Sequence, residues 1–421
     1  MILAGCVPVF ADEAYYYIWS LHPQLSYFDH PGVVSWLIRI GHMIFPAGHA
    51  LSLRVSFLAM SFATSLLWIK ILRGKAFSEE QILVFSVLAF LNPLLGPGSI
   101  LATPDVPLVF FWTLSYFCFL QVLKNPGLKW YAFLGAALGL GFCSKYHIVL
   151  FVLSGLVYLA ISEKFRALKP AGVLLTVLTG AIFCSPVFIW NAQNEWSSFL
   201  FQINHGFGES SFEWAWPAGY LAAQALACNP FVLQRLFKAA SDSTDRVFSL
   251  SQLGFFFLSS FKGVVEGNWP LTSHLHSISN FSAELSKRRV MLSVAYWFAI
   301  YILVAGFFLS PLSLKVRKNL INSSQLEDLY PLVGRFQPLY GASYQVASLL
   351  SWKTQKSVPK LSELSRVDFY DSLPESVPKA SAFYALKYDY SDWPEKYRRF
   401  RKTKLQSFDN TGIELYQFTY E

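Results

Sequence analysis

Residues 106–123 read VPLVFFWTLSYFCFLQVL, a run of eighteen positions without a charge. At about 1.5 Å of rise per residue, a helix of that length reaches roughly 27 Å, close to the hydrocarbon thickness of a bilayer. A helix on the surface of a soluble domain carries a polar face opposite its apolar stripe, and this run has none. It predicts a membrane-spanning helix. Working outward, comparable apolar runs occupy 51–72, 82–101, 129–144, 146–162, 171–190, 217–236, 247–263 and 290–312. Pro93 and Pro97, beside Gly96 and Gly98, predict a kink or a broken end in the second of these, tolerated where protein or water covers the freed backbone. Residues 1–11 are apolar but too short to span. They read as the tail of a first helix.

Composition agrees with this reading. Of the 421 residues, 54% are hydrophobic and 14% are charged, whereas soluble domains carry roughly a quarter charged residues. The 39 Phe and 13 Trp suit lipid contact and the membrane interface. The net charge of +8 sits in short clusters between apolar runs, at Lys70/Arg73/Lys75, Lys164/Arg166/Lys169 and Lys287/Arg288/Arg289. That is the positive-inside pattern of cytoplasmic loops, and without a basic stripe or folded basic module it excludes nucleic acid as a partner. The five cysteines lie in or beside apolar segments at no metal-ligand spacing, so they read as small buried hydrophobes.

With the basic clusters inside, the alternating loops 12–50, 102–105, 144–147 and 191–216 fall outside. They carry nearly all the unusual polar residues. Asp12-Glu13 follows an apolar segment and precedes Tyr15-Tyr16-Tyr17. Two carboxylates there must face water, bind a cation or act on a substrate. The plain alternative is a solvated acidic pair ahead of an aromatic belt. Tyr27-Phe28-Asp29-His30-Pro31-Gly32 forms a rigid turn that can aim Asp29 and His30, or simply a capped turn. A divalent cation is admitted by these residue types, but no spacing demands one, and no metal ligands are assigned. Asp105 stands at the mouth of the charge-free helix, where it caps the positive end and borders a site. Lys145, beside Tyr146, is an external lysine against the positive-inside bias, which suggests a lipid phosphate as its partner. Asn191, Gln202 and His205 lie along 191–216 as a sugar platform or an interfacial helix. Glu266 and Asn268, in Glu266-Gly267-Asn268-Trp269-Pro270, repeat the theme at the end of another span.

Residues 271–286 are too polar for a plain span, so whether the chain crosses there stays open. The composition changes near 313, giving an expected division into a membrane domain, 1–312, and a small C-terminal α/β domain, 313–421, placed on the extracytoplasmic side if 271–286 crosses and on the cytoplasmic side if it does not. In that domain Tyr344–Leu350 reads as a helix, and Asn410-Thr411-Gly412 followed by Ile413–Phe418 reads as a hairpin turn and strand. It carries no chemical motif.

Asp-Glu before aromatics, Tyr-Phe-Asp-His-Pro, Thr-Pro-Asp-Val-Pro, Ser-Lys-Tyr, Trp-Asn…Asn-Glu-Trp-Ser-Ser-Phe and Glu-Gly-Asn-Trp-Pro occur in that order across residues 9–312. This constellation resembles the bacterial C-type glycosyltransferases, the group of the protein O-mannosyltransferases and the lipid A aminoarabinose transferases. The resemblance implies a mainly α, polytopic membrane enzyme of the bacterial inner membrane with its site on the periplasmic side. Such an enzyme moves sugar with inversion from a polyprenyl-phosphate-linked donor to a glycolipid, polysaccharide or protein acceptor. It implies Asp12 as general base and Glu13 as its acidic neighbour. Arg54 and Lys145 would pair with the carrier phosphate; Tyr15, Asp29, His30, Asp105, Tyr146, Asn191, Gln202, His205, Glu266 and Asn268 would line the cavity. This reading needs Asp12 and Lys145 to share one water-accessible pocket. The chain departs from the family in reading His30-Pro31-Gly32 for His-Pro-Pro and Gly267 for Ala. A transporter or flippase of lipid-linked sugar would also gather polar groups in a membrane cavity, and an inactive paralogue would keep the pattern without the turnover.

Overall fold

The structure is a computed structural model that describes residues 1–207, 212–238, 243–309, 326–408 and 411–420. Two compact units emerge: one comprises Met1–Asp29, Val34–Ser56 and Leu309–Glu421, the other His30–Val33 and Phe57–Phe308. The C-terminal stretch therefore groups with the first loop and its flanks, which the sequence assigns to the membrane domain.

The second unit is a helical bundle. Among the described residues, Asp105–Lys124, Pro170–Gln193 and Lys287–Phe307 in this unit are long and apolar enough to cross a membrane, as is Ala50–Gly74, which runs from the first unit into it. The remaining expected spans are shorter or broken. The run 82–101 ends as a helix at Leu91 and continues into a 3₁₀ turn, Pro97–Ile100, because Pro93 and Pro97 cannot donate to a helical ladder. The run 217–236 divides at Asn229, whose φ of +78° interrupts it, into Ala215–Cys228 and Pro230–Lys238.

Leu128–Phe142 packs closely on Pro170–Gln193 because small residues face each other. A Cβ on Gly135 would collide with the Thr176 carbonyl and the Thr179 hydroxyl, and one on Gly139 with the Gly180 carbonyl. Backbone approach through such small residues is how helices associate when lipid removes the hydrophobic drive.

The polar stretch forms a helix, Leu271–Ser282, with all twelve residues buried. Several of its polar side chains are answered by neighbouring helices, whereas the buried Ser273 and Ser282 hydroxyls find no partner among the described residues. The Trp112 indole donates to His276 Nε2 at 2.9 Å. His276 Nδ1 stands 3.1 Å from Asp245, and the Ser279 hydroxyl donates to Asp245 at 2.6 Å. Lys75 (2.5 Å) and the Tyr116 hydroxyl (2.6 Å) complete the shell of that carboxylate. His274 meets Asn92 and Gln224. An unpaired polar group inside the bilayer costs several kcal/mol, so a polar helix is stable there only when other helices satisfy it.

In the first unit, four strands, β1 (Leu339–Tyr340), β2 (Ala382–Tyr388), β3 (Phe400–Phe408) and β4 (Ile413–Tyr420), make a sheet of order β1-β2-β4-β3. β1 runs parallel to β2; β2 and β3 both pair antiparallel with β4. The expected strand is β4, entered through Gly412 at φ +64°, a conformation that glycine adopts without a Cβ clash; Asn410 of the expected turn lies outside the described residues. The expected helix extends over Tyr344–Thr354, capped by the Ser343 hydroxyl. It packs on the helix Ala11–Leu21 through Tyr17 against Trp352 and Tyr15 against Tyr344.

Candidate functional site

The helix Ala11–Leu21 begins where Glu13 folds back to accept the Phe10 N–H at 3.1 Å. Its first turn holds Asp12 and Glu13, where carboxylates complement the positive helix end. Consecutive helical residues point about 100° apart, and the two acids meet opposite surroundings. Asp12 is exposed, whereas the Glu13 side chain is 1% exposed.

Arg54 grips Glu13 with Nε at 2.7 Å and Nη2 at 2.5 Å. Its remaining N–H groups donate to the carbonyls of Ala4, Val7 and Pro8 at 2.7–3.0 Å. A guanidinium has five donors, and all five are engaged inside the protein on a side chain that is 0% exposed. This corrects the expected roles of the pair. Arg54 has no donor left for a carrier phosphate, and Glu13 is a buried anchor that holds 4–8 against the start of the helix.

Asp29 is also buried, and two groups converge on it. The Tyr15 hydroxyl donates to Oδ2 at 2.6 Å, and Arg366 Nη1 donates to Oδ1 at 2.7 Å. The Tyr15 oxygen in turn accepts the Phe369 N–H at 2.8 Å. Arg366 also hydrogen-bonds and stacks on Tyr344, its guanidinium 4.9 Å from the ring centre. The Tyr344 hydroxyl donates to Asp12 at 3.3 Å. Asp12 and Asp29 are thus joined through two residues of the C-terminal stretch.

Electrostatics also acts on Asp12. Protein packed around Asp12 displaces bulk water and raises its pKa above the ordinary aspartate value; Asp29 and Glu13 add to the rise. The Tyr344 hydrogen bond and the Arg366 charge oppose it. An exposed carboxylate with a raised pKa has the character of a proton acceptor.

The second unit holds another cluster, drawn from three loops. Lys145 Nζ lies 2.7 Å from Asp105 Oδ1, and the Asn268 amide donates to Asp105 Oδ2 at 2.7 Å. Asp105 opens the helix Asp105–Lys124 without making a side-chain cap, so its carboxylate serves the cluster. Tyr146 meets the Ser198 hydroxyl at 2.8 Å.

The other expected residues are placed less tellingly. Asn191 is fully buried and its amide is used on backbone, donating to the Val187 carbonyl and accepting from the Phe199 N–H. It joins two helices, which is a correction to its expected sugar-binding role. His30 and Gln202 are half-buried, and Glu266 is exposed. His205 falls in the helix Ser197–Phe207, with its side chain outside the described residues. Among the described residues no three His, Cys, Asp or Glu side chains converge to hold a metal ion. A cavity of about 350 Å³ between residues 119 and 181 is lined by Phe119, Tyr131, Phe151, Leu156 and similar apolar groups, without a charged residue. It belongs to neither cluster.

Sequence reasoning missed Tyr344 and Arg366. They lie 332 and 337 residues from the acids they serve, in a stretch without a motif.

Comparison with solved structures matches nearly the whole chain to ArnT from Cupriavidus metallidurans. The form bound to undecaprenyl phosphate superposes with a TM-score of 0.66 at 12% identity, covering 97% of this chain and 92% of that one. The apo form gives 0.67 at 13% identity, covering 99% and 95%. The fold is that of ArnT. Residues 29–190 match the dolichyl-phosphate-mannose-protein mannosyltransferase family. A lipid A galacturonosyltransferase, RgtD of Rhizobium johnstonii, is 24% identical over 187 residues, 44% of this chain and 39% of that relative's length. The mainly α bundle and the small C-terminal sheet that were expected are present, and among the described residues four of the nine expected spans form helices long and apolar enough to cross a membrane.

Proposed function

We propose that this chain is an inverting membrane glycosyltransferase that moves a sugar from a polyprenyl-phosphate carrier to an acceptor hydroxyl at the outer face of the bacterial inner membrane. The observation that carries the reading is the asymmetry of the two aspartates. Asp29 is buried and held by Tyr15 and Arg366; Asp12, joined to it through Tyr344, is exposed with a raised pKa. The fold match to an ArnT solved with undecaprenyl phosphate supports the carrier class, and the likeness to a lipid A galacturonosyltransferase supports a glycolipid acceptor.

In this reading Asp12 takes the proton of the acceptor hydroxyl as its oxygen attacks the anomeric carbon. The bond from that carbon to the phosphate oxygen breaks on the opposite side, and the carrier phosphate leaves with the electron pair. One displacement inverts the configuration. A phosphate leaving group needs no general acid when a cation takes up its charge; Lys145 is the residue proposed for that role.

The test uses undecaprenyl-phosphate galacturonic acid as donor and lipid A as acceptor, with the purified full chain in liposomes. Asp12→Asn is expected to lower turnover by about 10²–10⁴, the range of a lost general base, with unchanged thermal melting. Wild-type activity is expected to fall as pH drops through the raised Asp12 pKa, above the ordinary aspartate range. An Asp12→Asn protein as active as wild type sinks the assignment.

A further inference from the structure

The mechanism above draws on the first loop, yet the residues that complete its acid pair come from the far end of the chain. We infer that Arg366 is a positioning residue for the transfer reaction: the loop 360–371 delivers its guanidinium so that one positive charge holds Asp29 and faces Asp12. This deepens the transferase reading and rests on it.

The loop is constructed around a buried lysine. Lys360, 0% exposed, directs its ammonium to Asp368 at 2.8 Å, to Asp371 at 2.6 Å and to the backbone carbonyl of Arg366 itself at 2.9 Å. An ammonium has three donors, and all three clamp this one loop. Asp371 also accepts the Asp368 N–H at 2.9 Å, and Asp368 accepts the Tyr370 N–H at 2.9 Å. Burying a lysine with two carboxylates is costly unless geometry repays the desolvation; here it sets the backbone of the residue that reaches Asp29. Next to it, Phe369 gives its N–H to the Tyr15 hydroxyl, the other ligand of Asp29. The same loop therefore orients both groups that hold Asp29.

Arg366 is not sealed in. Its side chain is 45% exposed while Asp29 is 7% exposed, so the charge stands at the solvent edge of the pair. Asp12 faces Glu13 on its own helix, Tyr344 from the helix Tyr344–Thr354, Asp29 from the first loop and Arg366 from the loop 360–371. Two of these are acids and one is a neutral phenol. Arg366 is the cation in that set; Glu13 is already paired with Arg54, so removal of Arg366 leaves Asp12 and Asp29 as neighbouring acids without it. The Arg366 charge lowers the Asp12 pKa against burial.

The experiment reads Asp12 directly. Carbodiimide modifies protonated carboxyls, so the pH midpoint of Asp12 labelling, followed by mass spectrometry of the intact full-length protein, reports its ionisation without turnover. Arg366→Gln is expected to raise that midpoint by about one pH unit, to move the acid limb of kcat by the same amount, and so to lower kcat by up to about tenfold on that limb. Arg366→Lys keeps the charge and is expected to recover most of the midpoint, though not the stacking on Tyr344. Tyr344→Phe removes one hydroxyl and is expected to shift the midpoint upward by less; it carries the test should Arg366→Gln not fold. An unmoved midpoint in Arg366→Gln, or in Tyr344→Phe where that variant stands in, overturns the inference whatever the turnover does. A wild-type protein that transfers no sugar counts against the transferase reading alone, since the labelling midpoint is measured without substrate.

Discussion

Two arginines hold carboxylates in the N-terminal part of this chain, in opposite settings. Arg54 and Glu13 are 0% and 1% exposed, and every guanidinium donor is engaged by Glu13 or by backbone. Arg366 reaches Asp29 with nearly half of its side chain in water. From the sequence, Arg54 is the better candidate for function, since the family resemblance offers it for the carrier phosphate, while Arg366 lies in a stretch without a motif. The structure reverses the order. A buried and fully satisfied arginine holds a fold together, because moving it exposes an unpaired charge. One at the water boundary can act on chemistry, because it can exchange part of its shell for substrate or tune a neighbour.

The largest effect that would test this contrast is on stability. Arg54→Ala leaves Glu13 charged, buried and alone, a loss expected to cost about 3–5 kcal/mol. It should appear as failed expression or a sharply lower melting temperature in detergent, whereas Arg366→Gln should melt close to wild type. If the two melt alike, the contrast is broken. Arg54→Lys is expected to cost less, about 1–3 kcal/mol, since an ammonium keeps the charge but leaves acceptors among the Ala4, Val7 and Pro8 carbonyls unserved. Tyr15→Phe removes a donor to Asp29 and strands the Phe369 N–H. That should cost about 1–2 kcal/mol of thermal stability and lower kcat without weakening undecaprenyl phosphate binding. The smallest effect separates the pairs by screening. Raising salt from 0.05 to 0.5 M should lift the Asp12 labelling midpoint by a few tenths of a pH unit through the exposed Arg366, and leave the Arg54 pair untouched. The Arg73–Glu79 pair, 61% and 76% exposed, provides the reference: Arg73→Ala should change stability by less than about 1 kcal/mol.

The helix Leu271–Ser282 carries a related lesson. Read alone, its Thr, Ser, His and Asn residues argue against membrane burial, and hydropathy leaves the crossing undecided. Its partners Asn92, Trp112, Gln224, Asp245 and Gln252 are scattered over 160 residues. No local pattern could pair them. Asn191 misled in the opposite direction, because an amide beside tryptophans looks like a sugar ligand until its backbone partners are seen.

Fold class was written along the chain. The charge-free run at 106–123, the basic clusters and the ordered loop motifs each depend on residues close together in sequence, where hydropathy and turn chemistry act directly. The helical bundle and the C-terminal strand at Ile413–Tyr420 follow from such local signals. Which cation serves which carboxylate was a matter for the tertiary structure alone. Coulomb and hydrogen-bond partners are chosen by distance in space and by the water left between them, and the chain closes more than three hundred residues to bring Arg366 to Asp29.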